Sequence, residues 1–337
     1  MREPCSVRLE WDGKCEPGEP AGAGLELLRP GRSSSTLIQG ENLFAMRALG
    51  ESIGPCFALI YLDPPFFTGR VHTELRARVR PGGRLVRPLA PAFDDRWEGL
   101  ESYLSALAQR IRAARELLAE NGCLVLHVDP KTSHYAKVLC DEIFGRECFA
   151  SEIVWRYRRW PSKTRNFQRI HDVLLRYVRD ARTPPRFRQL YEPLAASTLA
   201  TWGDRKQRAV VRGGRRLRSS VTVEPTPGAP LGDVWEIGIV APVARERTGY
   251  PTQKPEALLE RLVQSCTEPG DWVLDPYMGS GTTLAVCARL GRGAVGIDSS
   301  ERALTISRKR LRADGVRPRE ERVLLRARAS KGDRRVA

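Results

Sequence analysis

Residues 61–69, Tyr-Leu-Asp-Pro-Pro-Phe-Phe-Thr-Gly, put a carboxylate, two prolines and two aromatic rings directly behind the apolar run Cys56–Ile60. Neither proline donates a backbone N–H, so the run, read as a buried strand, stops there. A carboxylate on a rigid turn can accept hydrogen bonds from an amine or hydroxyl, and a ring beside it can stack on a planar group. A second cluster is Asp275-Pro276-Tyr277-Met278-Gly279-Ser280-Gly281-Thr282-Thr283, where a strand at 272–274 meets a helix from Thr282 onward. Its glycines let the backbone approach a ligand near a helix N-terminus. Asp298 closes the next strand, in Gly-Ala-Val-Gly-Ile-Asp, where a carboxylate suits ribose hydroxyls. Together these residues describe a nucleoside site. They do not make a phosphate loop of the Walker type, because Thr282 stands where the lysine is needed, and GxGxxG fits poorly.

The elements around the two clusters must bring them together. The stretch 36–66 reads as short strand, helix and strand, broken at Gly54-Pro55. Residues 69–92 are polar and punctuated by Pro and Gly, as in a long functional loop. An amphipathic helix is expected to end at Asn121-Gly122, followed by a buried strand at 123–129 and a helix closing on Gly145. After residue 245 come a helix at 254–266, the glycine turn and the strand to Asp298. Such alternation predicts a mostly parallel sheet covered on both faces. Residues 1–35 are expected to be a flexible extension and 313–337 a frayed basic tail.

The 337 residues carry a net charge of +16, which points to an anionic partner, most often nucleic acid. Its distribution is uneven. Residues 155–220 hold 18 basic side chains against 4 acidic ones, so nearly all the excess lies there. Among them stand Trp155, Tyr157, Trp160, Phe167, Tyr177, Phe187, Tyr191 and Trp202. Arginines clamp phosphates and aromatic faces stack on bases, so this block is expected to bind nucleic acid. The eight cysteines show no zinc spacing and read as reduced core residues, with no metal site. With no apolar run near transmembrane length and no signal peptide, the chain is expected to be cytoplasmic and to engage no membrane.

The segments "YLDPPF", "GYPTQKPEALLERLV", "DWVLDPYMGSGTT" and "AVGIDSS", in this order, resemble the S-adenosylmethionine-dependent DNA amino-methyltransferases of the N-4 cytosine/N-6 adenine group. The order is that of the β class, and the resemblance spans roughly residues 36–178 and 248–312. It implies a Rossmann-like class I methyltransferase fold: α/β, a seven-stranded, mostly parallel sheet and an inserted target-recognition region. On that pattern 36–155 is the catalytic half, 156–245 the basic recognition insertion and 246–312 the cofactor half. S-adenosylmethionine would be the cofactor and double-stranded DNA the partner, with a cognate restriction endonuclease and a monomer or homodimer both left open.

By the same resemblance Asp63 and the carbonyl of Pro64 accept the hydrogens of the target amino group, Pro65 fixes the turn, and Phe66 stacks on a base turned out of the duplex. Asp275, Pro276, Tyr277, Gly279, Gly281, Thr282, Thr283 and Asp298 would form the cofactor pocket, with Thr252, Gln253 and Lys254 near the methionine end. Gln253 and Thr283 read equally well as helix caps, and His127, which ends a strand with Asp129, reads as structural. Arg156, Arg158, Arg159, Lys163, Arg165, Arg169, Arg215 and Arg216 are the expected DNA contacts. Tyr277 replaces the more usual Phe, and "GEN" at 40–42 the commoner Gly-Asp-Asn. The Asp-Pro-Pro form favours adenine over the amino group of cytosine. An RNA methyltransferase, a DNA-binding protein with a decayed site and a nicotinamide-dependent dehydrogenase are the alternatives.

Overall fold

A computed structural model describes residues 8–11, 14, 23–29, 35–75, 78, 79, 85, 86, 89–161, 163 and 165–325. Its centre is a ten-stranded sheet. In chain order the strands are β1 (Ala23–Arg29), β2 (Ser35–Gln39), β3 (Phe57–Leu62), β4 (Leu118–Val128), β5 (Phe149–Arg156), β6 (His171–Val178), β7 (Val234–Glu236), β8 (Trp272–Asp275), β9 (Gly293–Asp298) and β10 (Arg319–Leu325). In space they run β1-β10-β2-β9-β8-β3-β4-β6-β5-β7. The six from β10 to β4 are parallel. Every residue of β3 is buried, as a parallel strand covered on both faces requires. Helices α1 (Asn42–Ile53), α2 (Leu100–Leu117) and α3 (Ser133–Phe144) pack in one layer, and α5 (Glu256–Cys266), α6 (Thr282–Arg289) and α7 (Glu301–Ala313) in another. The short α4 (Ala196–Trp202) has no buried residue.

The expected mostly parallel α/β sheet is therefore present, with ten strands where seven were expected. The added strands come partly from segments read as loose. β1 pairs antiparallel with β10, which lies parallel to β2, so parts of 1–35 and 313–337 are sheet. Half-polar strands at the margin of a sheet, paired with segments from the opposite end of the chain, leave little local signal. Asn121-Gly122 caps no helix. The helix ends at Leu117 and the pair lies inside β4. A Cβ on Gly122 would meet the Phe57 carbonyl at 2.6 Å, beside the register shift between β3 and β4. Within 69–92, Val71–Leu75 pairs with Leu89–Asp94, so the expected loop contains a hairpin.

The span 156–245 is shared between the main sheet, through β6 and β7, and a separate ribbon of Arg205–Arg212 paired with Arg215–Pro225. Gly213 and Gly214 turn the ribbon with φ of 57° and 74°. Among the described residues no helix is long and apolar enough to cross a membrane. Cys56, Cys123, Cys140, Cys148, Cys266 and Cys287 are free thiols, all but Cys56 buried, whereas Cys5 and Cys15 lie outside the described residues.

Gly296 in β9 lets the glycine turn and α6 close down on the sheet. A Cβ there would lie 2.6 Å from Met278 Sδ and 2.8 Å from a Leu284 methyl. Gly296→Ala should cost about 1–3 kcal/mol by overpacking, read as a lower urea midpoint at unchanged slope. An unchanged midpoint would show that this packing yields freely.

Candidate functional site

The strand order decides where the chemistry can sit. From β3 the chain proceeds to β4 on one side, and from β8 to β9 on the other, so the order reverses between two adjacent parallel strands. Ligands in open α/β sheets bind outside the carboxyl ends at such a point. Asp63 follows β3, Asp275 ends β8, and Asp298 ends β9. A cavity of about 450 Å³ opens there.

Of the residues named from sequence, Asp63, Pro64, Pro65, Phe66, Thr252, Gln253, Lys254, Asp275, Pro276, Tyr277, Gly279, Thr282, Thr283 and Asp298 line this cavity. Gly281 does not. It takes a left-handed φ of 71° as the cap of α6 and packs under Ser307. Gln253 faces its own loop: its Oε1 accepts from Thr248 N and Oγ1 at 2.8 Å each, and its Nε2 donates to the Glu246 carbonyl at 2.7 Å. Thr283 donates to Asp275 Oδ2 at 2.6 Å rather than capping α6.

Lys254 forms an ion pair with Asp63 Oδ2. Asp63 Oδ1 is buried and has no hydrogen-bond partner in the structure. The Lys254 ammonium also lies 5.0 Å from the Phe66 ring centre. The Asp63 carboxylate thus has one oxygen neutralised and one left as a bare acceptor beside an aromatic face. A buried acceptor without a donor is costly unless a ligand supplies one.

Behind Asp63 stands a polar chain that the sequence reading missed. Tyr61 Oη lies 2.7 Å from His127 Nδ1, and the phenol is held protonated by burial, with Asp63, Asp275 and Asp172 adding to the effect. A protonated phenol can donate or accept, so the tautomer of His127 sets the direction of this bond. His127 Nε2 faces Asp172 Oδ2 at 3.4 Å, and Tyr157 Oη donates to Asp172 Oδ1 at 3.0 Å. Burial raises the Asp172 pKa, but His127, Lys254 and Tyr157 outweigh it and hold the group below its usual value. His127 is fully buried, 3.7 Å from Asp63 Oδ1, with its ring centre 5.4 Å from that of Phe66. Nothing in the spacing of Tyr61, His127, Tyr157 and Asp172 signals this chain, because β6 pairing with β4 and β5 builds it.

Asp95 was missed as a site residue too, although it lies within the 36–178 span of the resemblance. Fully buried, it accepts from Phe67 N, Thr68 N, Thr68 Oγ1 and Trp97 Nε1 at 2.6–3.1 Å. Phe67 has a φ of 55°, unusual for a bulky residue, and these bonds hold it there. On the far wall Asn42 donates to the Pro276 carbonyl at 3.2 Å and accepts from Arg110 Nε at 2.7 Å.

Carboxylates dominate the glycine-turn side. Asp298 Oδ2 accepts from Gly279 N at 3.0 Å and Oδ1 from Ser300 N at 2.8 Å, while burial raises its pKa. Asp275 is raised to about 7, chiefly by burial, with Asp63 and Asp298 adding to it against the Thr283 and Tyr277 hydrogen bonds. Asp63, Asp275 and Asp298, three of the five carboxylates that line the cavity, suit a ligand that carries positive charge and hydroxyl donors.

The expected DNA contacts lie elsewhere. Arg156, Arg158, Arg159, Lys163, Arg165, Arg169 and Arg215 are exposed and none lines the cavity, while the side chain of Arg216 lies outside the described residues. Arg156 pairs with Glu236, and Arg169 with Asp129 at 2.7 Å.

Residues 57–309 match the family described as DNA methylase. A stretch of 91 residues is 46% identical to the type II methyltransferase M2.DpnII of Streptococcus pneumoniae, covering 27% of this chain and 34% of that protein. Over 290 residues the chain is 25% identical to the DNA adenine methyltransferase YhdJ of Escherichia coli strain K12, covering 86% of each. The solved PvuII DNA methyltransferase (cytosine-N4-specific) shares the fold, with a TM-score of 0.52 at 14% identity over 84% of this chain and 89% of that one.

The buried Asp275 gives a stability test. Unfolded, the carboxyl ionises near 3.8; folded, near 7. Between those values the folded state holds the extra proton. The stability Asp275 contributes is therefore complete below the lower value and lost as pH rises through about 7. Asp275→Asn should flatten this decline, which amounts to at most about 4 kcal/mol, in urea titrations from acid to neutral pH. An equal slope in the variant would place the titration elsewhere.

Proposed function

This chain belongs to the DNA methylase family, and from that premise we propose that it transfers a methyl group from S-adenosylmethionine to the exocyclic amino group of a base in double-stranded DNA, adenine before cytosine. The bare Asp63 Oδ1 beside Phe66 carries the reading. The bound cofactor supplies an electrophilic methyl group on a positively charged sulfur. Asp275 and Asp298 suit its ammonium and ribose hydroxyls, and Gly279 opens the turn beside them.

An exocyclic amino nitrogen is a poor nucleophile, because its lone pair is delocalised into the ring. Asp63 Oδ1 accepts one amino hydrogen and the carbonyl of Pro64 the other, so the lone pair is turned out of the ring plane. Lys254, by holding Oδ2, keeps the carboxylate from rotating. Phe66 stacks on the base once it has left the duplex, which costs about a few kcal/mol. Most of the gain in rate then comes from orientation and fixed charge. The basic residues of 156–245 hold the phosphates, so binding should be steeply salt-dependent. Adenine is favoured by the Asp-Pro-Pro form and by the name of the Escherichia coli relative. Pairing with a restriction endonuclease is supported by the name of the Streptococcus pneumoniae relative.

Incubation with unmethylated genomic DNA and methyl-labelled S-adenosylmethionine, followed by nucleoside mass spectrometry, should place the label on adenine N6. Asp63→Ala should keep cofactor and DNA binding and lose at least about a hundredfold in transfer. Label on cytosine N4 would overturn the base assignment alone. An Asp63→Ala enzyme of full activity would overturn the mechanism.

A further inference from the structure

Two large aromatic side chains on one loop stand almost wholly in solvent. Trp160 is 90% exposed and Phe167 99% exposed. Both lie on the loop from Tyr157 to Ile170, which joins β5 to β6. Gln168 Nε2 donates to the Trp160 carbonyl at 2.9 Å, which ties together the two segments of the loop that carry the rings.

The base of the loop is anchored to the site. Arg169 pairs with Asp129, Tyr157 bonds Asp172, and the Arg159 guanidinium lies 5.1 Å from the Tyr157 ring centre. The Tyr157 ring packs on Trp155 at 4.9 Å, Trp155 on His127 at 5.6 Å, and His127 on Phe66 at 5.4 Å. The exposed rings thus rise from the same aromatic cluster that ends in the cavity. Around them are Arg158, Lys163 and Arg165, exposed and without a carboxylate partner among the described residues, and residues 156–171 include no Asp or Glu.

We propose that Trp160 and Phe167 are a stacking wedge, which inserts against the bases of double-stranded DNA next to the place vacated by the target base. The inference rests on the DNA-methylating reading above. Turning a base out removes the stacking of its neighbours, and an aromatic ring is a sequence-tolerant replacement for the lost face. The unpaired cations beside the rings fit the phosphates that flank such a gap, and set this tip apart from an apolar docking patch for a protein. The division of labour is then spatial: Phe66 receives the extruded base inside the cavity, and the loop tip supports the duplex it left.

Because both side chains stand in solvent, Trp160→Ala, Phe167→Ala and the double variant should fold like the parent. Fluorescence anisotropy with a labelled unmethylated duplex, measured over a range of salt, is the test, with methyl transfer to plasmid DNA measured in parallel. The double variant should bind about tenfold more weakly at every salt concentration, with the slope of log affinity against log salt unchanged and transfer reduced in step. Arg158→Ala and Arg165→Ala should instead flatten the slope, by about 0.9 for each phosphate no longer neutralised. If the parent binds and methylates the duplex while the aromatic variants match it, the wedge is overturned and the rings belong to a protein interface. If the parent neither binds nor methylates it, the DNA-methylating reading falls, and the wedge with it.

Discussion

The ion pair between Lys254 and Asp63 joins residues 191 positions apart in sequence and fixes the one carboxylate on which the site turns. Both side chains are mostly buried, at 12% and 15% exposure. A pair so placed contributes little net stability, but removing one partner strands a buried charge. Its value here is geometric. With Oδ2 committed, Oδ1 is buried 3.7 Å from His127 Nδ1 and has no donor, since that nitrogen is already engaged by Tyr61. The protein thus carries an unmet hydrogen-bonding demand at the carboxylate that follows β3.

Everything else serves to bring that demand and the glycine turn to one edge. Because β3 and β8 are adjacent and parallel while their connections run in opposite directions, their carboxyl ends open onto a common crevice. Asp298 sits one strand further on, tying the turn through Gly279 N. Asp95 holds the segment after the prolines in a conformation that Phe67 would not adopt by itself. The basic residues expected to contact DNA stay outside the crevice, and within it carboxylates outnumber the two cations Lys254 and Arg110, so the cavity leans anionic while the surface around it is cationic. Such an arrangement separates a cationic small ligand from a polyanionic large one.

What could be read in the sequence was what is encoded locally. The strand stopped by Pro64 and Pro65, the turn through Gly279 and Gly281, and Asp298 at a strand end each announce themselves within about ten residues, and the cavity brings most of them together. The chain from Tyr61 through His127 and Asp172 to Tyr157 has no such signature, since β-pairing between distant segments creates it. The same holds for β1 and β10, whose half-polar sequences become strands against each other and, for β10, against β2. Asn121-Gly122 carried a true backbone signal with the wrong meaning. A glycine was required there, but for close approach of β4 to β3 rather than to end a helix. Gln253 likewise turned inward, to knit its own loop.

On the proposed function, Lys254 holds Asp63 for the target while bordering the cofactor pocket. Lys254→Met addresses it directly, with S-adenosylmethionine affinity measured by calorimetry and transfer to DNA by single turnover at saturating cofactor. Both should fall, transfer by about a hundredfold, because Asp63 is left charged, unpaired and free to turn. Single-turnover transfer at the parental rate, whatever the change in cofactor affinity, would contradict the claim and reduce the ion pair to a packing role.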